Sequence, residues 1–340
     1  MEFLKNFNWI SYISSLEFQV KIVLIAFAVS VIASIIIIPI LRKLKVGQIE
    51  RDDGPQSHLK KQGTPTMGGI IIALTIMAVT AFLYLKYRVG EIEVAKRLLP
   101  LAFVTVGFGV VGFVDDFKKL VLKNTKGLKP AYKMIGLLIV AVAYTLYLTK
   151  VLNIGTETYI PIIKQYIELP IWFYIPFAIF VLLGTTNAVN LTDGIDGLST
   201  SVTTIIITAL TVIGIILGVK EVALIGCTLI GACLGFLLFN LHPAKVFMGD
   251  TGSLLLGGAI AGMALYLKMP LILIVVALIP IIETISVMMQ VLYFKKTGNR
   301  IFKMAPIHHH FELSGWRENK IVSVFSIVTL ILSIVAINII

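Results

Sequence analysis

Ten stretches of about 20 residues, each almost wholly apolar, restrict this 340-residue chain to one kind of fold. They run at about 20–41, 67–86, 98–115, 131–149, 171–188, 199–218, 221–240, 251–268, 270–294 and 321–339. A hydrocarbon core about 30 Å thick needs about 20 such residues per helix, and lipid offers backbone groups no partners, so only helices or closed barrels cross it. The weak alternation of a membrane barrel is absent. The sequence therefore predicts an all-α polytopic membrane protein of about ten transmembrane helices. Its longest polar stretches, about 42–66, 116–130, 150–170 and 295–320, are loop-sized, so residues 1–340 are expected to form a single integral-membrane domain. Within the third of these stretches, Tyr159-Ile160-Pro161-Ile162-Ile163 predicts a short hairpin.

Lys and Arg set the expected orientation. Each loop takes the number of the span it follows. Odd loops and their flanks hold 19 of the 29 basic residues, and the positive-inside rule places them in the cytoplasm and both termini outside. The net charge of +11 is mostly this bias. The basic residues sit in short loops beside spans, which suits anionic lipid heads and phosphorylated substrates rather than nucleic acid. Residues 1–19 contain Glu2, Lys5 and Glu17 without a cleavage-site pattern, and span 1 ends in Leu41-Arg42-Lys43-Leu44-Lys45, so it reads as an uncleaved anchor. Cys227 and Cys233 are six apart on one helix and read as packing residues, not a disulfide.

Gly107-Phe108-Gly109-Val110-Val111-Gly112 matches a dinucleotide fingerprint but lies inside span 3, with no strand before it and no acidic residue about 20 positions on. Close helix packing is the expected use, as for Gly231/Gly235 and Gly258/Gly262.

All seven aspartates and all five histidines fall in the gaps between spans, and those gaps belong to the odd loops. Asp115-Asp116 closes span 3, where a carboxylate opposes the helix dipole, so a merely structural use is disfavoured. Neighbouring helical residues point about 100° apart, which predicts divided roles, and such a close pair suits a general base. Loop 5 carries Asn187, Asn190, Asp193, Gly194, Asp196 and Gly197 within eleven residues, a density that favours a binding loop for base, sugar or metal over an ordinary turn. In loop 7, Asn240 is followed by Phe247-Met248-Gly249-Asp250-Thr251-Gly252-Ser253. Asp250 suits a helix cap, and beside the other carboxylates it suits a Mg²⁺ ligand. Loop 1 closes with Lys60-Lys61-Gln62-Gly63-Thr64-Pro65-Thr66-Met67-Gly68-Gly69 at a helix start, where phosphate binds well. Lys133 follows Pro130 in a first turn, an unfavourable place for a cation unless it meets an anion. Lys123, Lys126 and Lys129 could extend that role or simply face solvent. Loop 9 contains His308-His309-His310, without zinc spacing and so read as phosphate-binding or loop-positioning. Glu283 lies inside span 9 and is expected to face protein.

Acceptor-rich loops 3, 5 and 7, donor-rich loops 1 and 9 and a divalent ion together suit phosphoryl transfer on the cytoplasmic face. Gly63 to Gly69, Asp115-Asp116, Asn187 to Gly197, Phe247 to Ser253 and Pro306-Ile307-His308-His309-His310-Phe311-Glu312 resemble the phospho-N-acetylmuramoyl-pentapeptide transferases. The aspartate motifs are similar to the wider polyprenyl-phosphate N-acetylhexosamine-1-phosphate transferases, and the triple histidine and the Gly63 to Gly69 segment point to the muramoyl branch. The resemblance implies transfer from UDP-N-acetylmuramoyl-pentapeptide to undecaprenyl phosphate with Mg²⁺, giving lipid I and UMP for peptidoglycan. It also implies ten helices, outside termini, a bacterial inner-membrane location and a homodimer. By motif it assigns Asp250 to Mg²⁺ and Asp115 to the lipid phosphate, with Asp116 in support. Lys61, Thr66, Asn187, Asn190, Asp193, Asp196, Asn240 and Phe247 fall to the nucleotide-sugar, and Lys133 and His308, His309 and His310 to its phosphates. The alternatives are the same chemistry on another UDP-sugar, against which the histidines argue, and a secondary transporter, which would place polar groups near the midplane.

Overall fold

The computed structural model describes residues 9–44, 61, 63–120 and 127–340, with side chains omitted for 9–17 and 120. Asp52, Asp53, His58, Lys60, Lys123 and Lys126 lie outside the described residues. The helices are α1 (Trp9–Lys43), α2 (Gly69–Tyr87), α3 (Ile92–Leu120), α4 (Pro130–Leu146), α5 (Ile171–Thr192), α6 (Leu198–Ile216), α7 (Lys220–Asn240), α8 (Gly249–Tyr266), α9 (Leu273–Val276), α10 (Leu278–Thr297), α11 (Ile307–Glu312) and α12 (Glu318–Ile339). Strands β1 (Glu157–Ile160) and β2 (Gln165–Glu168) form the expected hairpin, antiparallel with Glu157 opposite Glu168.

Among the described residues nine helices are long and apolar enough to cross a membrane. The tenth expected span is α8, whose glycines and Asp250 dilute its apolar content. It need not face lipid. Every residue from Thr251 to Tyr266 is buried, and α2, α3, α5 and α6 pack around it. The outer helices instead expose Leu24, Ile35, Ile139, Phe180, Leu292 and Ile331, as a lipid-facing surface requires. The glycines act as packing residues. A Cβ on Gly112 would overlap the Asp250 carbonyl oxygen, and one on Gly231 the Val23 carbonyl oxygen, so α3 meets α8 and α1 meets α7 backbone to backbone. Cys227 and Cys233 are buried and unbridged.

Several boundaries differ from the sequence reading, among them α5, which runs on to Thr192 and so takes in Asn190. Helix α3 continues past residue 115 to Leu120, with Lys118 and Lys119 in its last turn, so Asp115 and Asp116 lie inside a helix rather than in a gap. Charge alone does not end a helix, and these lysines offset the dipole cost expected of the aspartates. Span 9 is not continuous. A 3₁₀ turn at Pro270–Ile272 and α9 precede a break at Ala277, and α10 then runs to Thr297. A continuous helix would set the Pro280 ring against the Val276 carbonyl, whereas the first turn of a new helix tolerates proline. His308, His309 and His310 lie in α11, a short helix and not an extended loop.

The bundle has two distinct ends. At one, the Tyr159 N–H donates to Lys268 O (2.7 Å) and the Tyr159 hydroxyl to Ile339 O (3.1 Å), joining the hairpin to the ends of α8 and α12. At the other, the Phe247 N–H donates to Pro65 O (2.8 Å) and the Gly68 N–H to Phe247 O (2.9 Å), joining loops 1 and 7.

Candidate active site

At the second end, α3, α4, α5 and α8 bring together five of the expected residues (Asp115, Asp116, Lys133, Asn190 and Asp250) and one unexpected one, Lys119. Asp250 stands in the first turn of α8, yet it does not cap that helix. Its Oδ2 meets Lys119 Nζ at 2.8 Å and Lys133 Nζ at 2.9 Å, and its Oδ1 accepts from Asn190 Nδ2 at 2.8 Å. The cap comes from another helix. Asp116 accepts from the backbone N–H of Asp250 (3.3 Å) and Thr251 (2.8 Å) and from the Thr251 hydroxyl (2.6 Å). A carboxylate there is stabilised by the free N–H groups and positive end of α8. Asp115 turns elsewhere. It accepts from the Leu128 N–H (2.7 Å) and contacts Lys119 Nζ (2.7 Å) and Lys133 Nζ (3.4 Å).

Asp193 lies in the turn between α5 and α6. Burial, then the charges of Asp250 and Asp116, push its carboxyl up to about 8 against a hydrogen bond from the Gly249 N–H. Four carboxylates (Asp115, Asp116, Asp193 and Asp250) thus share the neighbourhood with two ammonium groups. That arrangement attracts a further cation, and its hard oxygen donors fit a divalent ion such as Mg²⁺. A Cβ at Gly249 would stand 2.8 Å from Asp116 Oδ2 and 2.9 Å from Thr66 Oγ1, which puts buried Thr66 beside the same turn.

A second cluster ties loops 1, 5 and 7 to α12. Lys61 Nζ donates to Asp196 Oδ1 (2.8 Å) and Glu318 Oε2 (2.6 Å), and His242 Nδ1 lies 3.0 Å from Asp196 Oδ2. Burial alone would lower the Lys61 pKa, but its bonds to Asp196 and Glu318 prevail and raise it. Ligand atoms of Asp196, His242 and Glu318 fall within 4.8 Å of one another, a spacing a metal could use. Lys61 already supplies a positive charge between the Asp196 and Glu318 carboxylates.

The remaining expected residues have varied surroundings. Asn187 donates to Leu183 O of its own helix (2.7 Å), unlike Asn190 one turn on. Asn240 is buried, donates to Val246 O (3.0 Å) and accepts from the Thr200 hydroxyl (2.6 Å), which gives it a supporting place under loop 7. Phe247 is half-buried, its backbone held by loop 1. His308 is fully buried with Nδ1 3.1 Å from Glu283 Oε2, His309 Nδ1 is 3.2 Å from Glu312 Oε2, and His310 Nδ1 accepts from the Lys303 N–H (3.2 Å). The three rings therefore have separate partners. Sequence reasoning missed Lys119 and Glu318. Lys119 stands four residues after Asp115 on one helical face, a readable spacing. Glu318 looks like any acidic first-turn residue, and nothing local marks it.

The model of glycosyl transferase family 4 matches residues 98–268, and the first phospho-N-acetylmuramoyl-pentapeptide-transferase signature matches residues 61–72. The phospho-N-acetylmuramoyl-pentapeptide-transferase of Acetivibrio thermocellus is 47% identical over 318 residues, 93% of each chain. That of Clostridium perfringens is 51% identical over 317 residues, 93% of this chain and 97% of the relative. The chain belongs to the phospho-N-acetylmuramoyl-pentapeptide transferase family. It is a multi-pass membrane protein and a phosphoglycosyl transferase. The signature begins at Lys61 and runs into α2, the segment that pairs with Phe247. The family-wide match holds Asp115, Asp116, Asp193, Asp196 and Asp250 but stops before His308, His309 and His310.

Proposed function

We propose that this enzyme transfers phospho-N-acetylmuramoyl-pentapeptide from its UDP-activated donor to undecaprenyl phosphate, releasing UMP and forming lipid I for peptidoglycan synthesis. Near-full-length identity to relatives of that name supports the reaction. One observation carries the site: Asp250, held by Lys119, Lys133 and Asn190 beside three further carboxylates.

Asp250 holds Mg²⁺, which when bound supplies charge neutralisation at the diphosphate. Lys133, with Lys119 beside it, screens the phosphates of donor and acceptor. Asp115 orients the lipid phosphate and takes its proton, and Asp116 keeps the first turn of α8 in place beneath the reacting groups. Asn190 fixes the Asp250 carboxylate. Asp193, Asp196, Asn187, Lys61 and Thr66 bind the nucleotide-sugar, Phe247 stacks on the uracil, and Asn240 supports that loop. The His308–His310 segment screens the donor phosphates, with buried His308 holding the segment in place. The site faces the cytoplasm of a bacterial inner membrane, both termini lie outside, the whole chain is one domain, and two copies form a homodimer.

Purified protein with Mg²⁺, undecaprenyl phosphate and UDP-N-acetylmuramoyl-pentapeptide should release UMP. Asp250→Ala should lose at least about 10²-fold in rate without loss of fold, as expected when several kcal/mol of charge stabilisation is removed. Wild-type turnover in that variant would remove the metal assignment, and activity only with another UDP-sugar would remove the substrate.

A further inference from the structure

Glu283 of α10 and His308 of α11 are both completely shielded from solvent. An ionisable pair at such depth costs several kcal/mol unless its polar atoms are matched. Here they are not. His308 Nδ1 is 3.1 Å from Glu283 Oε2, a charge contact rather than a formed hydrogen bond, and Glu283 Oε1 and His308 Nε2 have no hydrogen-bond partner. The His308 backbone N–H reaches the same carboxylate at 3.5 Å. A pair retained only for stability would be fully bonded, since each unmatched buried group costs about 1–3 kcal/mol.

The far edge of the ring shows what the pair serves. A Cβ at Gly194 would overlap His308 Nε2, so the imidazole lies directly on the turn that carries Asp193. Glu283, His308 and Gly194 thus form a continuous line from α10, just past its break, to loop 5. A carboxylate beside Nδ1 holds the proton on that nitrogen and so fixes the character of Nε2.

We propose that Glu283 is a positioning residue for the transfer reaction: it keeps the proton on His308 Nδ1 and directs Nε2 onto the Asp193–Gly194 turn, setting that turn to receive the donor nucleotide-sugar. The proposal rests on the reading of loop 5 as part of the donor site. Glu283 touches no reacting group and acts through His308.

The test uses the purified full chain. Glu283→Gln keeps an acceptor oxygen and should leave the KM for UDP-N-acetylmuramoyl-pentapeptide within about twofold of wild type. Glu283→Leu should raise that KM about tenfold or more, about 1.4 kcal/mol of donor binding, with the KM for undecaprenyl phosphate unchanged. Nitrogen-15 spectra of histidine-labelled protein should place the His308 proton on Nδ1 in wild type and Glu283→Gln, and divide it between the nitrogens in Glu283→Leu. An unchanged donor KM in Glu283→Leu overturns the proposal, as does an equal loss in both variants or a parallel rise in the lipid KM. Should Glu283→Leu fail to fold, a His308 proton on Nε2 in wild type or Glu283→Gln overturns it alone. Asp193→Asn separates the two readings, because an unchanged donor KM there faults the assignment of loop 5 itself.

Discussion

Asp115 and Asp116 are neighbours that face different partners, Asp115 two lysines and a loop, Asp116 the first turn of α8. Removing Asp116 leaves the Thr251 N–H and hydroxyl without their acceptor in a buried place. Asp116→Ala should therefore cost about 1–3 kcal/mol of stability, with Asp116→Asn less affected, by denaturation in detergent micelles. Equal stability in all three proteins would mean that the α8 terminus needs no such acceptor. Asp193 makes a pH prediction. With its carboxyl at about 8 against an ordinary 3.8, the folded chain keeps a proton there that the unfolded chain loses, so its contribution to stability falls as pH rises through that window. In metal-free protein the thermal midpoint of wild type should drop more than that of Asp193→Asn between about pH 5 and about pH 8, and added Mg²⁺ should reduce the difference. Parallel curves would contradict the shift. These residues could be found in the sequence because acidic groups are rare in an apolar chain. Their partners could not. That Asp116 caps α8 while Asp250 does not depends on contacts 134 positions apart, which no local pattern encodes.

Helices were legible wherever an apolar run had the length of a bilayer, and the hairpin wherever Pro161 interrupted a β-branched stretch. The errors lie where charge or proline competes with hydropathy. Helix α3 outlasts its apolar run because Lys118 and Lys119 suit a C-terminus, and α10 starts afresh because of Pro280. The small residues have a measurable consequence at this scale. Gly112 lets α3 touch the backbone of α8 at Asp250, so Gly112→Val must push the two helices apart. A loss of about 1–3 kcal/mol and a larger fall in transfer rate are expected, since the displaced strip carries both Asp115 and Asp250. Wild-type rate in a folded Gly112→Val protein would show that this contact does not set the site.

For the whole molecule, a helix dressed entirely by protein, α8, carries its Asp250 end to the place where loops 1, 3, 5 and 7 converge and α12 begins. The hairpin and the α12 C-terminus lie at the opposite end. The proposed chemistry requires the convergent end to face the cytoplasm, where a water-soluble donor arrives, and the bias of Lys and Arg agrees. Labelling by a membrane-impermeant maleimide tests this most directly, on a background in which Cys227 and Cys233 are replaced. Lys245→Cys, in exposed loop 7, should react only in inverted membrane vesicles, and Ile163→Cys, at the exposed hairpin tip, only in right-side-out ones. Reaction of both from the same side, or of Lys245→Cys from the exterior, would contradict a single cytoplasmic transfer site.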